Sequence, residues 1–336
     1  MSLRILSASI IFVAVLSFSS RCDGEEINIY FKASPRLALL YPYSDPATLA
    51  VLVTGGDGKS VAQGRVAIRL QAPEPSRFLS TDFPLVEGSR LLDMSLPLRR
   101  GRAEWKYLFP IRGQYQLTVE FTAPDGQKTI KVFLLDIKEN KQKWLFLGMF
   151  SLGLFAVGVI AGRIFTHPAP GEKRSAAACL LLLMSCLAVA VEGAAQELER
   201  PYFGRLEVDP GVVGKPSKVR WTLADQESAA RRAVLLNITI THVEKGKTVF
   251  AVERLPVPGE FTMDFQFADG AEYRVAAVAY LAGGQMIRTE QNIVATAMEP
   301  PARTLIPAMV FFLALIALGL GVGRWSRRIA LSPVGR

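Results

Sequence analysis

Bond-making chemistry or metal binding needs nucleophiles, bases or ligands gathered in groups, and this chain has few of these to gather. It contains two histidines, His167 and His242, and three cysteines, Cys22, Cys179 and Cys186. His242 lies in the alternating stretch Asn237 to Val243, whereas His167 lies in a short basic segment between two apolar runs. If those runs cross a membrane, the two histidines sit on opposite sides and share no site. Cys22 ends the N-terminal apolar run, and Cys179 and Cys186, seven apart, share one face of any helix. No pair is left for a disulfide, a binuclear copper site or thiol redox chemistry in the segments between the runs.

The remaining candidates read as scaffold. Glu253, Glu260, Asp264 and Asp269 follow strand-like spacing, which suggests a solvated polar face rather than a general acid and base. Gly55-Gly56-Asp57-Gly58-Lys59-Ser60 has the look of a phosphate loop, but it lacks Walker A spacing and a following helix, so it reads as a hairpin turn. Arg99-Arg100-Gly101-Arg102 and Arg231-Arg232 are basic clusters on predicted loops, either solvated or open to an anion. The Asn237-Ile238-Thr239 sequon falls inside a predicted strand and reads as unglycosylated. The expectation is a non-enzyme with no catalytic, cofactor-binding or metal residue, no cofactor, no evident small-molecule substrate and no nucleic-acid partner.

The elements around these residues follow from the apolar distribution. The chain has 336 residues, 50% hydrophobic and 21% charged, enough for a membrane protein with two domains. Four uncharged runs stand out. Ile5 to Ser20, behind Arg4 and ending in small residues, has the form of a secretory signal peptide, residues 1–20; an uncleaved anchor is the alternative. Trp144 to Gly162 holds 19 uncharged residues, closed by Arg163, and predicts a transmembrane helix over 144–162. Ser175 to Val191, behind Lys173-Arg174 and followed by Gly193-Ala194-Ala195, reads either as a short span or as an internal signal-like segment, residues 175–191. Thr304 to Gly323 predicts a C-terminal transmembrane helix, 304–323, with Arg324, Arg327 and Arg328 after it.

Charge sets the orientation. Arg163, Lys173 and Arg174 in the loop 163–174, and the arginines of the tail 324–336, belong on the cytoplasmic side. Lys138, Lys141 and Lys143 oppose this, but they end a long segment, and long translocated segments largely escape the rule. The segments 24–143 and 196–303 are therefore expected in the periplasm, with the C-terminus in the cytoplasm of a multi-pass protein of the bacterial inner membrane. The formal net charge of +9 is mostly a topology label. Residues 24–143 carry 17 basic and 13 acidic groups, while 196–303 carry 13 and 14.

Both segments read as β. Val66, Ile68 and Leu70 alternate with Arg65, Ala67 and Arg69. Tyr115, Leu117, Val119 and Phe121 alternate with Gln114, Gln116, Thr118 and Glu120. Val219, Trp221 and Leu223, and then Phe261, Met263, Phe265 and Phe267, repeat the pattern in the second segment. Period two with aromatic and β-branched residues on one face marks half-buried strands. Short strands without a long amphipathic helix predict all-β ectodomains plus transmembrane α-helices: two immunoglobulin-like β-sandwiches, each followed by a membrane helix.

The two halves also align. Gly101 sets against Gly259, Tyr107 against Phe265, Phe109 against Phe267, Tyr115 against Tyr273, Gly126 against Gly284 and Gln127 against Gln285, without a gap. A tyrosine heading a late strand predicts a tyrosine corner in each half. Together with the flanking runs, the alignment suggests internal duplication. In the predicted membrane helices, Gly158 and Gly162 form a Gly-xxx-Gly step, and Gly319, Gly321 and Gly323 cluster, so close helix packing is expected at Gly158, Gly162, Gly319 and Gly323.

Through Asp57-Gly58-Lys59-Ser60-Val61, Phe109-Pro110-Ile111-Arg112-Gly113-Gln114-Tyr115 and the helix beyond, the first half resembles membrane-anchored YtkA-like and FixH-like periplasmic domains. The leading expectation is an interaction or assembly module of a membrane complex, with other membrane or periplasmic subunits as partners. Related copper-handling sandwiches use His and Met ligands, which gives an alternative reading as a copper-handling or oxidase-assembly accessory. Here Met94, Met263, Met286 and Met298 are scattered, and His242 is the one extracytoplasmic histidine.

Overall fold

The protein is described by a computed structural model over residues 27–75, 81–164, 204–223, 234–281, 284–298 and 302–331. The signal-like run, the 175–191 run, His167, Arg231-Arg232 and all three cysteines lie outside the described residues. The chain is mostly β, in two antiparallel sheets, with two long apolar helices.

The first half supplies β1 (Asn28–Ser34), β2 (Ala47–Thr54), β3 (Arg65–Gln71), β4 (Arg90–Pro97), β5 (Arg102–Tyr107), β6 (Gly113–Thr122) and β7 (Lys128–Ile137), then α1 (Lys141–Ile164). The second supplies β8 (Gly204–Val208), β9 (Pro216–Leu223), β10 (Val234–His242), β11 (Lys247–Val257), β12 (Glu260–Gln266), β13 (Glu272–Tyr280) and β14 (Met286–Val294), then α2 (Ala302–Leu331). The alternation seen in sequence becomes burial: Val66, Ile68 and Leu70 point inward from β3, as do Val219, Trp221 and Leu223 from β9. Each large side chain so buried contributes about 1.5–3 kcal/mol.

The halves do not stand as two separate sandwiches. One sheet runs β1-β2-β5-β11-β10-β13-β14, and the other runs β7-β6-β3-β4-β12-β9-β8. Each sheet is built from both halves, and one continuous apolar core fills the space between them. The joins are β5 to β11, where Tyr107 faces Phe250, and β4 to β12, where Leu92 faces Phe265. The physical reason is edge satisfaction. A half standing alone would leave β4 and β5 with unpaired backbone groups, and the other half supplies the missing strands. Exchanging each strand of the first half with its counterpart seven places later converts one sheet order into the other, reversed.

Turns pin the register. Ala123 N–H donates to Gln127 O and Gly126 N–H to Ala123 O, and Leu281 with Gln285 and Gly284 with Leu281 form the same pair of bonds in the second half. Gly126 and Gly284 take φ of +90° and +79°, which only glycine adopts cheaply. Gly55 to Lys59 forms the turn after β2, with the Asp57 carboxylate accepting from Lys59 N–H at 2.9 Å.

The helices leave the β body at the same end. Asn140 caps α1 by accepting from Gln142 N–H at 3.0 Å. Arg112 bonds Glu139 at 2.7 Å and lies over the Trp144 ring, and Lys143 pairs with Asp82, so the first turn of α1 is tied to the strands. Lys141–Ile164 and Leu305–Arg327 are long and apolar enough to cross a membrane, and their outer faces expose Phe146, Phe150, Leu152, Phe311 and Leu313. At about 1.5 Å per residue, such helices exceed the roughly 30 Å of a hydrocarbon core.

Candidate functional site

The aromatic residues aligned in sequence occupy matching places. In the first half Tyr107, Phe109 and Tyr115 pack edge to face in a row, with centroids 5.3 and 5.0 Å apart. In the second, Phe265, Phe267 and Tyr273 form the same row at 5.3 and 4.7 Å. Tyr115 heads β6, and its phenol donates to Ile111 O at 2.6 Å and accepts from Ile111 N–H at 3.0 Å, closing a loop four residues long. Burial pushes the Tyr115 phenol well up, so it stays a donor.

Tyr273 heads β13 in the same way, but its phenol donates to the side chain of Asp269 rather than to a backbone carbonyl. Asp269 stands four residues before Tyr273, as Ile111 does before Tyr115. The substitution of a carboxylate at this point builds a polar cluster in the second half. Fully buried His242, at the end of β10, donates from Nε2–H to Asp269 Oδ2 at 3.2 Å and accepts at Nδ1 from Lys245 N–H at 3.3 Å. Lys245 Nζ donates to the same carboxylate oxygen at 2.7 Å. Burial alone would raise the Asp269 pKa; the hydrogen bonds from Lys245 and Tyr273 and the charge of Lys245 outweigh it and hold the carboxyl below its usual range.

The cluster fastens one half to the other. Lys245 Nζ lies 4.0 Å from the centroid of the Tyr43 ring, and Lys247 Nζ donates to Tyr43 O at 2.9 Å and to Ser44 O. Tyr43, at φ +54°, stacks on Phe83 at 5.1 Å, and burial raises its phenol as well. Asp269 also faces a small cavity of about 180 Å³ with Phe83, Val213 and Met298 on its walls. With His242 shielded and its ring packed 5.0 Å from Tyr273, the arrangement can hold a charge and fix the Tyr43 loop. It offers no open face on which His242 could meet a substrate.

Asp269 is not part of a solvated strand face: it lies between β12 and β13, bonded by His242, Lys245 and Tyr273. The available signal was its position before Tyr273, where the other half carries an apolar residue. Tyr43 and Lys245 carry no comparable signal, because each reaches the cluster through a loop. Among the described residues, no group of three or more His, Cys, Asp or Glu side chains gathers in a way that could hold a metal.

The helix glycines meet in parallel order. A Cβ on Gly158 would lie 2.6 Å from Ile316 O and 3.1 Å from Gly319 Cα, and one on Gly319 would lie 2.4 Å from Phe155 O. Gly162 and Gly323 repeat this against Leu320 O and Val159 O, at 2.5 and 2.3 Å, whereas Gly321 faces open space. Beyond the crossing, Arg163 Nε donates to Ser326 Oγ at 3.2 Å and Arg327 to Arg163 O at 2.5 Å.

No protein-family model and no curated sequence matches the chain. Among solved structures, it is similar to E. coli alpha-2-macroglobulin in its native conformation, at 12% identity and TM-score 0.25, covering 82% of this chain and 14% of that one. It is also similar to red sea bream transglutaminase, at 6% identity and TM-score 0.21, covering 82% and 31%. A third is a Ca2+-stabilized adhesin with which an Antarctic bacterium binds ice, at 11% and 0.20, covering 76% and 44%. The chain thus spans less than half the length of each of these proteins.

Proposed function

We propose that this chain is a non-enzymatic, membrane-anchored interaction module of a bacterial inner-membrane complex, presenting one rigid β body made of two immunoglobulin-like halves to the periplasm. The observation that carries the reading is the sharing of both sheets by both halves above two parallel helices, which gives a stiff platform fixed at one height over a bilayer. The polar cluster supports it, because its bonds join the Tyr43 segment to the second half.

The same reading places both halves on one side of the membrane and the C-terminus in the cytoplasm. Parallel packing of Gly158 on Gly319 and of Gly162 on Gly323 supports it, since both helices then leave the β body in one direction. A return span over 175–191 would bring the chain back to β8. Duplication of a single-anchor ancestor that paired with its own copy accounts for the strand orders, the matched aromatic rows and the matched glycine steps. The first half's resemblance to YtkA-like and FixH-like domains belongs to this proposal too.

Affinity purification of the full chain from native membranes tests the reading. A partner recovered at constant stoichiometry is the expected result, and recovery of the chain alone contradicts it.

A further inference from the structure

The join between β5 and β11 is short. Tyr107 stands opposite Phe250 and Lys106 opposite Ala251, Leu108 N–H donates to Val249 O at 2.9 Å, and beyond Ala251 the paired register ends. On their other sides, β5 stays paired with β2 from Tyr107 back to Arg102, and β11 with β10 as far as Val257. The fork therefore leaves two strand edges facing each other across a cleft of about 810 Å³. The register of β11 against β10 shifts between Val252 and Leu255, along the cleft, where Arg254 takes φ +54°.

The floor of the cleft is apolar, with Leu98, Val252 and Leu255 in it, and it includes Trp105, a residue 1% exposed whose indole N–H has no partner. The rim carries Arg99, Arg100, Arg102, Lys106 and Arg254 against Glu104 and Glu253. Both acids are already neutralised, Glu104 by Arg102 at 2.6 Å and Glu253 by Lys106 at 2.7 Å. Arg99 donates to Arg254 O at 2.9 Å, which leaves the side chains of Arg100 and Arg254 unengaged among the described residues.

Position narrows the occupant. Gly113 pairs with Ile137 next to α1, so the helix-proximal end of the sheets is the start of β6. Arg65 pairs with Thr122 and with Pro97, which puts the end of β4, the Arg99–Arg102 turn and the fork at the opposite, helix-distal end. A bilayer holding α1 and α2 would lie far from this rim, beyond the roughly 10 Å reach of surface charge.

We propose that the β5–β11 fork binds an extended acidic peptide segment of a partner protein by strand addition, with its carboxylates on Arg100 and Arg254 and an apolar residue over Trp105. Open strand edges supply backbone hydrogen bonds, the floor takes alternate side chains, and the rim selects charge. This inference rests on the interaction-module reading and names the partner's chemistry.

The test uses the full chain in detergent micelles and a fluorescein-labelled octapeptide of alternating Glu and Val, read by anisotropy. Binding that weakens with salt, and at least tenfold with Arg100→Glu and Arg254→Glu together at an unchanged melting temperature, is expected. Equal binding of a Lys–Val octapeptide, an unaffected double variant, or displacement by phosphatidylglycerol vesicles overturns the proposal. A Glu–Val peptide N-methylated at alternate amides should lose binding, and its retention would refute strand addition. Purification of the double variant from native membranes separates the two ideas. If it keeps the wild-type partner, the fork proposal fails while the module reading stands; if neither chain brings down a partner, the module reading fails.

Discussion

Asp93 of β4 and Asp264 of β12 stand directly opposite each other across the join between the halves. Like charges in facing positions repel, and Asp93 is relieved by Arg69 at 3.4 Å and Arg90 at 3.2 Å. Replacing Asp264 by Asn should therefore leave stability unchanged or raise it by about 0.2–1 kcal/mol. Urea unfolding of the full chain in detergent measures this. A loss of more than that range would mean that Asp264 makes a favourable contact at the join.

Asp269 should make the protein acid-labile. Its carboxyl is held below the range of an unfolded aspartate, so its contribution is complete above about pH 4 and is lost as pH falls through the lower folded value. Asp269→Asn should cost about 1.5–3 kcal/mol at neutral pH, the range for hydrogen bonds to a charged group, and should flatten the fall in melting temperature below pH 4. Tyr115→Phe, which removes a neutral corner bond to Ile111, should cost about 1 kcal/mol and leave that pH profile unchanged.

Helix crossing should depend on which glycine is changed. Gly319→Leu puts a side chain where a Cβ already meets Phe155 O at 2.4 Å, whereas Gly321→Leu enters open space. Fluorescence transfer between dyes on α1 and α2 should fall for the first substitution and hold for the second. An equal response from both would contradict packing of the helices through their glycines.

The 175–191 run separates two topologies. A C-terminal tag detected on an immunoblot should run near the full 36.8 kDa if this run is retained as a return span. A tagged product near half that mass would show cleavage after Ala195. The halves could still remain together in that case, because they share both sheets.

Strands and helices were legible because their determinants are local. Period-two burial at Val66, Ile68 and Leu70, uncharged length from Trp144 to Gly162, and Gly126 and Gly284 at positive φ all show in short windows of sequence. The sharing of sheets was not legible. The pairing of Tyr107 with Phe250 joins residues far apart in the chain, and an isolated sandwich would present the same alternation. The aromatic contacts are local as well: Phe109 and Phe267 each lean on a strand-heading tyrosine a few residues away. Asp269 reads as solvated in sequence because a carboxylate at strand-like spacing looks the same whether water or a buried histidine faces it.

The two halves form a single β body through two shared sheets. Asp93→Cys with Asp264→Cys, in a chain whose Cys22, Cys179 and Cys186 are replaced by Ser, tests this most directly, because facing residues of antiparallel strands lie within disulfide reach. A protease site inserted between α1 and β8 lets the halves be cut apart after oxidation. The halves should stay linked on a non-reducing gel and separate on reduction. Halves that separate without reduction, or that crosslink only between different chains, would contradict a single body.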